Sequence, residues 1–207
     1  VIPIVNHLIE TSVVVVRADS PYKTLKELVT AAKAKSNMRA STNGMKASNH
    51  TAAQLFAQSA GFKYKAIPYG GTADQLLALR QGEVQFTCAK VADVAKLVSG
   101  DKPELRILGA FDTKRLAEYP DVPTLGELGY YPNWYGSARA LVAPAGTPDD
   151  VIAFYVDAFK KTMNDPQTIE QHKKAGLSMQ FMDNKELGKL IKQQEVFCRD
   201  EVSQLYK

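Results

Sequence analysis

The sequence predicts an α/β fold built on a parallel β-sheet that is covered by helices on both faces. Between residues 13 and 110, short apolar segments alternate with amphipathic segments at the spacing of strands and helices. The run 13–16 consists of valines only, as expected for a strand that is buried on both faces. With 207 residues and a hydrophobic content of 45%, the chain can bury a core without disulfides or metals.

Capping and breaking residues give the bounds of the elements in this alternating part. The predicted helices run from Thr24 to about Lys35, from Ser48 or Asn49 to Gly61, from Thr72 to Gly82, and over 91–98. The first of them opens with capping-box spacing between Thr24 and Glu27. Strands are predicted between the helices, over 38–41, 63–67, 84–87 and 105–110.

The pattern changes after residue 111. A segment interrupted by Pro120 and Pro123 precedes a short predicted helix at 125–128 and a strand over 137–142. The tail is mostly helical and carries one more predicted strand, over 179–182. Its helices begin at Pro148 after the cap Thr147, at Pro166, and after Asp183 or Asn184, the last one running to about Tyr206.

Composition and motifs exclude several classes of protein. The 26 basic and 22 acidic side chains leave a net charge of +4, and the lysines are dispersed, which argues against a nucleic-acid partner. No apolar run approaches the roughly 20 residues of a membrane span. Neither a nucleotide-binding glycine motif nor zinc-type Cys/His spacing occurs, so no cofactor and no metal are expected. Cys88 and Cys198 can form a disulfide or stay unpaired.

The first candidate binding loop follows the strand predicted over 38–41. Its side chains and the first turn of the next helix offer hydroxyls, amides and main-chain N–H groups, a set that suits an anion such as a carboxylate. Simple helix capping, which needs only one of these residues, is the alternative. The candidate residues are Ser41, Thr42, Asn43, Ser48 and His50.

The second candidate loop contains Tyr69, Gly70 and Gly71. Paired glycines allow main-chain N–H groups to approach a ligand closely, and the loop again opens a helix. The alternative is a tight turn without a ligand. The sequence thus predicts a second anion-binding loop at the same edge of the sheet.

The third candidate loop contains Ser137 and Arg139. An arginine beside small residues at the start of a strand can hold a carboxylate through two hydrogen bonds. Trp134 or Tyr135 could form a wall of the pocket. The alternative is an arginine on the surface with a tryptophan in the core.

These candidates provide hydrogen-bond donors and cations but neither a nucleophile nor a base, so binding without catalytic residues is expected. An enzyme that uses Cys88 with His50 is the alternative, although a small buried cysteine is the simpler interpretation. Lys90, after the strand at 84–87, could supply a charge but is expected to be a solvated lysine at a helix start.

Five segments, taken in order, resemble one known family. RADSPYKTLKELVTAAKAK, STNGMKASNH, IPYGGTADQLLALRQGEV, YPDVPTLGELGY and GSARALVAPAGTP are similar to segments of the Bug or TctC-like solute receptors of tripartite tricarboxylate transporters. The resemblance covers essentially the whole chain in collinear order. It implies a type-II periplasmic binding-protein fold, in which two lobes are joined by two crossing strands, here 13–16 and 140–143.

The resemblance also implies a division into domains. Residues 17–134 would form a complete α/β lobe, and 1–16 with 135–207 would form the hinge strands and the remainder of the first lobe. The family's glycine-rich and serine-rich loops near the front of that lobe are not in this sequence, so the chain is expected to be N-terminally truncated and one lobe incomplete. Self-association of this form through an exposed sheet edge is expected.

The implied function is that of a periplasmic receptor that captures a small organic acid and delivers it to the membrane permease subunits of a transporter. A signal peptide is not in this sequence. The family's carboxylate contacts map to the candidates of the three loops. One departure concerns the distal end of the ligand: the family often has an acidic or amide residue after the strand at 84–87, where this chain has Thr87-Cys88-Ala89-Lys90. A ligand-sensing domain of a regulator with the same fold is the alternative function.

Overall fold

The structure is a computed structural model that describes residues 1–35 and 37–206; Ser36 and Lys207, which fall within the predicted domain ranges, lie outside the described residues. The first part of the chain contains β1 (Ile2–Arg17), α1 (Leu25–Ala34), β2 (Arg39–Thr42), α2 (Ser48–Ala60), β3 (Lys65–Pro68), α3 (Thr72–Arg80), β4 (Phe86–Lys90), α4 (Val91–Val94) and β5 (Leu105–Ala110). The second part contains β6 (Gly136–Ala143), α5 (Asp149–Met163), α6 (Pro166–Lys174), β7 (Met179–Met182), α7 (Asn184–Asp200) and a 3₁₀ helix (Val202–Tyr206).

The chain divides into two compact units. Unit 1 comprises Val1–Glu10 and Ser137–Lys207, and unit 2 comprises Thr11–Gly136. Strand β1 contributes its first part to unit 1 and its second part to unit 2.

The sheet of unit 2 has the strand order β3-β2-β4-β1-β5. Strand β2 runs parallel to β3 and β4, as the alternating pattern predicts, but β1 runs antiparallel to both β4 and β5. The prediction of a wholly parallel sheet is therefore wrong for β1. Crossover helices make the strands on either side of them parallel, whereas the direction of β1 depends on non-local pairing that no local pattern records.

Both faces of this sheet pack against apolar side chains. On one side, β1 and β5 pack with α3 and α4 in a cluster that includes Val13, Leu79 and Ile107. An aromatic cluster is centred on Phe56 of α2, whose ring lies 5.1 Å from the ring of Phe62 and 6.1 Å from that of Phe86. These contacts hold α2 and α3 against the sheet of unit 2.

Unit 1 has a smaller core. Strand β1 pairs with β7 and β6, and Ile4 and Val5 of β1 pack with Ala143 and Ile152. The helices of unit 1 are mostly exposed, and Phe154 of α5 is 68% exposed.

Several predicted bounds differ from those of the structure. The strand predicted over 13–16 is the end of the much longer β1, because buried polar residues such as Asn6 and Ser12 interrupt its apolar pattern. The helix predicted over 91–98 ends at Val94, and the last helix ends at Asp200 instead of Tyr206. The segment predicted as a helix at 125–128 is a turn. None of the helices among the described residues is long and apolar enough to cross a bilayer.

Candidate functional site

The topology of unit 2 favours a ligand-binding crevice at the carboxyl ends of β2 and β4. The chain leaves β2 through α2 toward β3 on one side, and it enters β4 on the other side of β2. Loops that leave neighbouring parallel strands in opposite directions open a crevice between them, where α/β proteins commonly bind ligands. Six of the ten candidates lie on the loops and helix starts that follow β2 and β3, and two more, Ser41 and Thr42, are the last residues of β2.

The first loop is anchored by hydrogen bonds from β2. Ser41 is fully buried, and its hydroxyl donates to the main-chain oxygen of Gln75 in α3 at 2.9 Å. The hydroxyl of Thr42, also buried, donates to the oxygen of Gly44 at 3.3 Å. Asn43 is half-buried, and its side-chain oxygen is buried without a hydrogen-bond partner among the described residues. That oxygen is available to a donor on a bound molecule.

The N-termini of α2 and α3 carry no side-chain cap in the described chain. Ala47 occupies the N-cap position of α2 and Gly71 that of α3, so Ser48, Asn49 and Thr72 lie inside the helices and the predicted capping roles are wrong. Helix α1, by contrast, has the predicted capping box of Thr24 and Glu27. The hydroxyl and amide groups around α2 are thus not used as caps, and the capping alternative does not account for this loop.

His50 fixes the conformation of the first loop. Its imidazole is buried, and Nδ1 accepts a hydrogen bond of 2.8 Å from the main-chain N–H of Lys46, which has a φ of 62°. A positive φ is uncommon for a lysine, so this bond stabilises a strained turn. Burial lowers the pKa of His50. Both observations indicate a neutral imidazole that shapes the loop at neutral pH.

We expect this histidine to make the stability of the chain depend on pH. Because its pKa is lower in the folded chain than in the unfolded one, the unfolded state binds more protons below about pH 6.5, and the free energy of unfolding falls as the pH is lowered. The slope should not exceed about 1.4 kcal/mol per pH unit. Urea unfolding between pH 7.5 and pH 5 measures it. His50→Gln should remove this contribution, and an unchanged pH profile in that variant would contradict the assignment.

The second loop lies beside the first. The main-chain N–H of Tyr69 donates to the oxygen of Thr42 at 2.9 Å, which joins the ends of β3 and β2. The phenol of Tyr69 donates to the Glu83 carboxylate at 2.7 Å, and this bond raises the pKa of Tyr69. A Cβ atom added at Gly71 would meet nothing within 4 Å, so space is open above the start of α3.

Lys90 was expected to be solvated, and this expectation is wrong. It is the last residue of β4 and is only 5% exposed. Its ammonium lies 3.0 Å from the side-chain oxygen of Asn49 and 3.4 Å from the hydroxyl of Ser48. Its position after the strand predicted over 84–87 was the signal in the sequence. The two oxygens that it contacts come from a helix about 40 residues earlier, which no local pattern indicates.

A buried network behind Lys90 links β2, α2, α3 and β4. The amide oxygen of Gln75 accepts a bond of 2.9 Å from Asn49, and its amide nitrogen donates to the hydroxyl of Thr87 at 2.5 Å and to the oxygen of Cys88 at 2.7 Å. The hydroxyl of Thr87 donates to the oxygen of Ser41 at 2.7 Å. Gln75 was not predicted to belong to such a network, because its partners lie on other elements.

Ser137 and Arg139 lie on β6, and both belong to unit 1. Ser137 is half-buried. The guanidinium of Arg139 is 56% exposed and lies 2.5 Å from a carboxylate oxygen of Glu10, whose side chain is 3% exposed. Arg139 thus holds a carboxylate of the chain itself. The other carboxylate oxygen of Glu10 is buried without a hydrogen-bond partner among the described residues.

The aromatic residues before β6 belong to unit 2. The indole N–H of Trp134 donates to the hydroxyl of Thr11 at 3.2 Å, and the phenol of Tyr135 donates to the oxygen of Ser48 at 3.2 Å. The ring of Tyr135 lies with its centre 6.0 Å from the ammonium of Lys90. Tyr135 therefore contacts the first turn of α2, whereas Trp134 contacts Thr11 of β1.

Cys88 does not have the environment of a nucleophile. Its thiol is fully buried, and burial raises its pKa far above the ordinary value of a cysteine. A reactive cysteine needs a thiolate at neutral pH and access to its substrate. Cys88 and Cys198 are both unpaired in the structure.

Several known proteins are similar to this chain in sequence or in structure. A UPF0065 protein of Cupriavidus necator is 33% identical over 173 residues, which are 83% of this chain and 52% of that protein, so the chain spans about half the length of this relative. A TctC solute-binding protein from Polaromonas superposes with a TM-score of 0.82 at 23% identity, over 98% of this chain and 69% of that one. The R. palustris protein Rpa4515, solved with adipate, superposes with a TM-score of 0.86 at 18% identity, over 99% and 68%.

These superpositions confirm the α/β periplasmic binding-protein fold predicted from the sequence, over about two thirds of the solved chains. The family model for the tripartite tricarboxylate transporter family receptor, TctC, matches residues 1–201. This family consists of binding proteins and not of enzymes, so the enzyme alternative built on Cys88 and His50 is wrong. The chain belongs to the TctC family of tripartite tricarboxylate transporter receptors.

Proposed function

We propose that this chain is the ligand-binding part of a periplasmic receptor that captures a small organic acid and delivers it to the membrane permease of a tripartite tricarboxylate-type transporter. The observation that carries the proposal is the pair of helix N-termini, α2 and α3, that lack side-chain caps on neighbouring parallel strands. Uncapped N–H groups and the positive ends of the helix dipoles favour a carboxylate at this position.

The groups around the starts of α2 and α3 suit the binding of a ligand without a catalysed reaction. The loops after β2 and β3 offer hydroxyl, amide and main-chain N–H groups, and the histidine at the start of α2 is buried. A carboxylate bound to several such donors retains its charge and is released unchanged. The adipate complex of Rpa4515, a protein with the same fold, supports an organic acid as the ligand.

The proposal includes the two lobes predicted from the sequence, which are 17–134 and 1–16 with 135–207. It also includes closure of the receptor on its ligand. The ligand-binding role of the candidates, including Ser137 and Arg139, is also part of it. Self-association is supported by unit 1, where residues 138–142 of β6 and Phe154 are exposed.

A thermal-shift panel of mono-, di- and tricarboxylates tests this function. At a concentration one hundred times its dissociation constant, a bound acid should add about 2.7 kcal/mol of stability, which corresponds to a rise of about 5–10 °C in Tm for a chain of this size. The corresponding neutral amides are the control ligands and should give no shift. A panel in which no acid stabilises the chain more than its amide would contradict the proposal.

Gly71→Ser provides a variant that tests the place of binding. A serine at this N-cap position can accept bonds from the first N–H groups of α3, so the variant should be as stable as the wild type or more stable by a few tenths of a kcal/mol. The extended φ of 176° and the open space at Gly71 accommodate the new side chain. Because the serine competes for the same N–H groups, the thermal shift produced by the acid should fall. An undiminished shift would exclude the start of α3 from the site.

A further inference from the structure

Five basic residues that are dispersed along the sequence meet at one end of unit 2. Lys33 is in the last turn of α1 and Lys35 follows that helix, Arg39 is the first residue of β2, Lys63 follows α2, and Lys65 is the first residue of β3. All five side chains are exposed. Together they form a surface that we name the basic face.

The fold brings these residues together through two sets of contacts. Arg39 and Lys65 are partners in the register of the parallel strands β2 and β3, which places them about 4.8 Å apart across the sheet. A Cβ atom added at Gly61, two residues before Lys63, would lie 3.8 Å from the ammonium of Lys33. A groove of about 640 Å³ between the ends of α1 and α2 is lined by all three lysines of the helix ends. The helix ends and the strand starts thus present one positively charged surface.

The charge of the basic face is not neutralised by the residues that the structure describes. None of its five side chains takes part in an ion pair with them, whereas Arg17 and Arg80 of unit 2 are paired with Asp19 and Glu104. The ends of α1 and α2 contribute about −0.5 charge each, and Glu83 before β4 adds one negative charge, so a net charge of about +3 is left. Stabilisation of the two helix ends needs only a fraction of this charge.

The composition of the basic face indicates the kind of partner. Four of its five residues are lysines, and the exposed large apolar side chains of the described residues lie elsewhere. Interfaces between proteins are enriched in aromatic residues and arginine and depleted in lysine, whereas a lysine ammonium is a point charge that suits phosphate groups. A basic face without apolar anchors therefore suits a broad anionic surface, such as a layer of phospholipid headgroups.

We propose that the basic face binds the surface of a membrane that contains anionic phospholipids. The headgroup phosphates pair with the exposed cations, and the groove between the ends of α1 and α2 accepts one phosphate beside its three lysines. The basic face lies at the starts of β2 and β3, and the candidate loops lie at the opposite ends of the same strands. Those loops therefore stay exposed when the chain is bound. The inference goes beyond the proposed function and does not depend on the binding of an acid.

Co-sedimentation with lipid vesicles tests this inference. Vesicles of phosphatidylcholine with about one quarter phosphatidylglycerol should bind the chain at about 0.1 M salt, and vesicles of phosphatidylcholine alone should not. A rise to about 1 M salt shortens the Debye length from about 10 Å to about 3 Å and should release the chain. Equal binding to both kinds of vesicle, or binding that salt does not weaken, would overturn the inference. Binding of polyglutamate without binding of the anionic vesicles would also overturn it and would assign the basic face to an acidic protein segment.

A matched pair of double variants tests the place of binding. Lys33→Gln with Lys63→Gln removes two charges beside the groove. Each basic residue close to an anionic surface strengthens binding about fivefold, so this variant should bind the anionic vesicles about 25-fold more weakly. Lys185→Gln with Lys189→Gln removes the same charge from exposed positions on α7 of unit 1 and should bind within about twofold of the wild type.

Circular dichroism checks that both double variants are folded. If the variant at the groove does not fold, Arg39→Gln with Lys65→Gln takes its place with the same expected loss, because it removes two charges from the same basic face. Equal losses of vesicle binding in the variants of the basic face and of α7 would show that net charge alone is responsible, and would overturn the inference.

Discussion

Replacing Gln75 with leucine should destabilise the chain by about 3–5 kcal/mol, because each buried polar group left without a partner costs about 1–3 kcal/mol. Gln75 is fully buried, and its side chain bonds to Asn49, Thr87 and the oxygen of Cys88. Leucine has nearly the same size but can satisfy none of these groups. Asn49 and Cys88 are themselves buried, so water cannot replace the lost bonds without rearrangement of the core.

Urea unfolding of this variant is best compared with that of Gln58→Leu. Gln58 lies on the exposed side of α2, and its replacement should change the free energy of unfolding by no more than about 0.5 kcal/mol. Thr87→Val removes a neighbouring member of the network. In the double variant, the losses in free energy of unfolding caused by Thr87→Val and Gln75→Leu should be less than additive, because the two residues share a hydrogen bond. A cost for Gln75→Leu no larger than that for Gln58→Leu would show that the network does not hold the helices.

The helix that carries Gln75 shows what the sequence could predict and what it could not. The bounds of α3 follow from local signals, and the structure confirms them to within two residues. Within α3, however, the leucines do not show which side is buried, because Leu77 is 44% exposed and the polar Gln75 is completely buried. Gln75 occupies the buried face because its partners lie on β4, 12 and 13 residues later, and on α2, 26 residues earlier. Such pairings depend on topology and leave no periodic trace in the sequence.

The polar residues of β1 show the same limit at larger separation. Asn6 is fully buried and donates to the oxygen of Gln180, which is 174 residues away in sequence. Glu10 meets Arg139, which is 129 residues away. A local pattern of apolar residues could therefore locate only the end of this strand. The same limit applies to the candidate site. Its loops and glycines could be predicted from the local sequence, but the burial of Lys90 could not.

Replacing Phe56 with alanine should cost about 3–5 kcal/mol, because the deletion of a buried phenyl ring loses its transfer free energy and leaves a cavity. Phe56 is completely buried, and its ring lies 6.1 Å from that of Tyr130 in addition to its contacts with Phe62 and Phe86. Phe86 lies on β4, Phe62 on a loop earlier in the sequence and Tyr130 on a loop later in the sequence. The three neighbours are therefore held by separate parts of unit 2. They cannot all move into the cavity, which places the expected cost toward the upper end of the range.

The chain offers a matched control in Phe154, which is 68% exposed on α5. Phe154→Ala should change the free energy of unfolding by no more than about 0.5 kcal/mol, and Phe56→Leu should cost less than Phe56→Ala because it fills part of the cavity. Chemical unfolding followed by circular dichroism measures all three. Because α2 also carries the candidate residues Ser48 and His50 at its start, a loosened Phe56 cluster should weaken acid binding even where the variant remains folded. If Phe56→Ala costs no more than Phe154→Ala, the aromatic cluster does not position the start of α2.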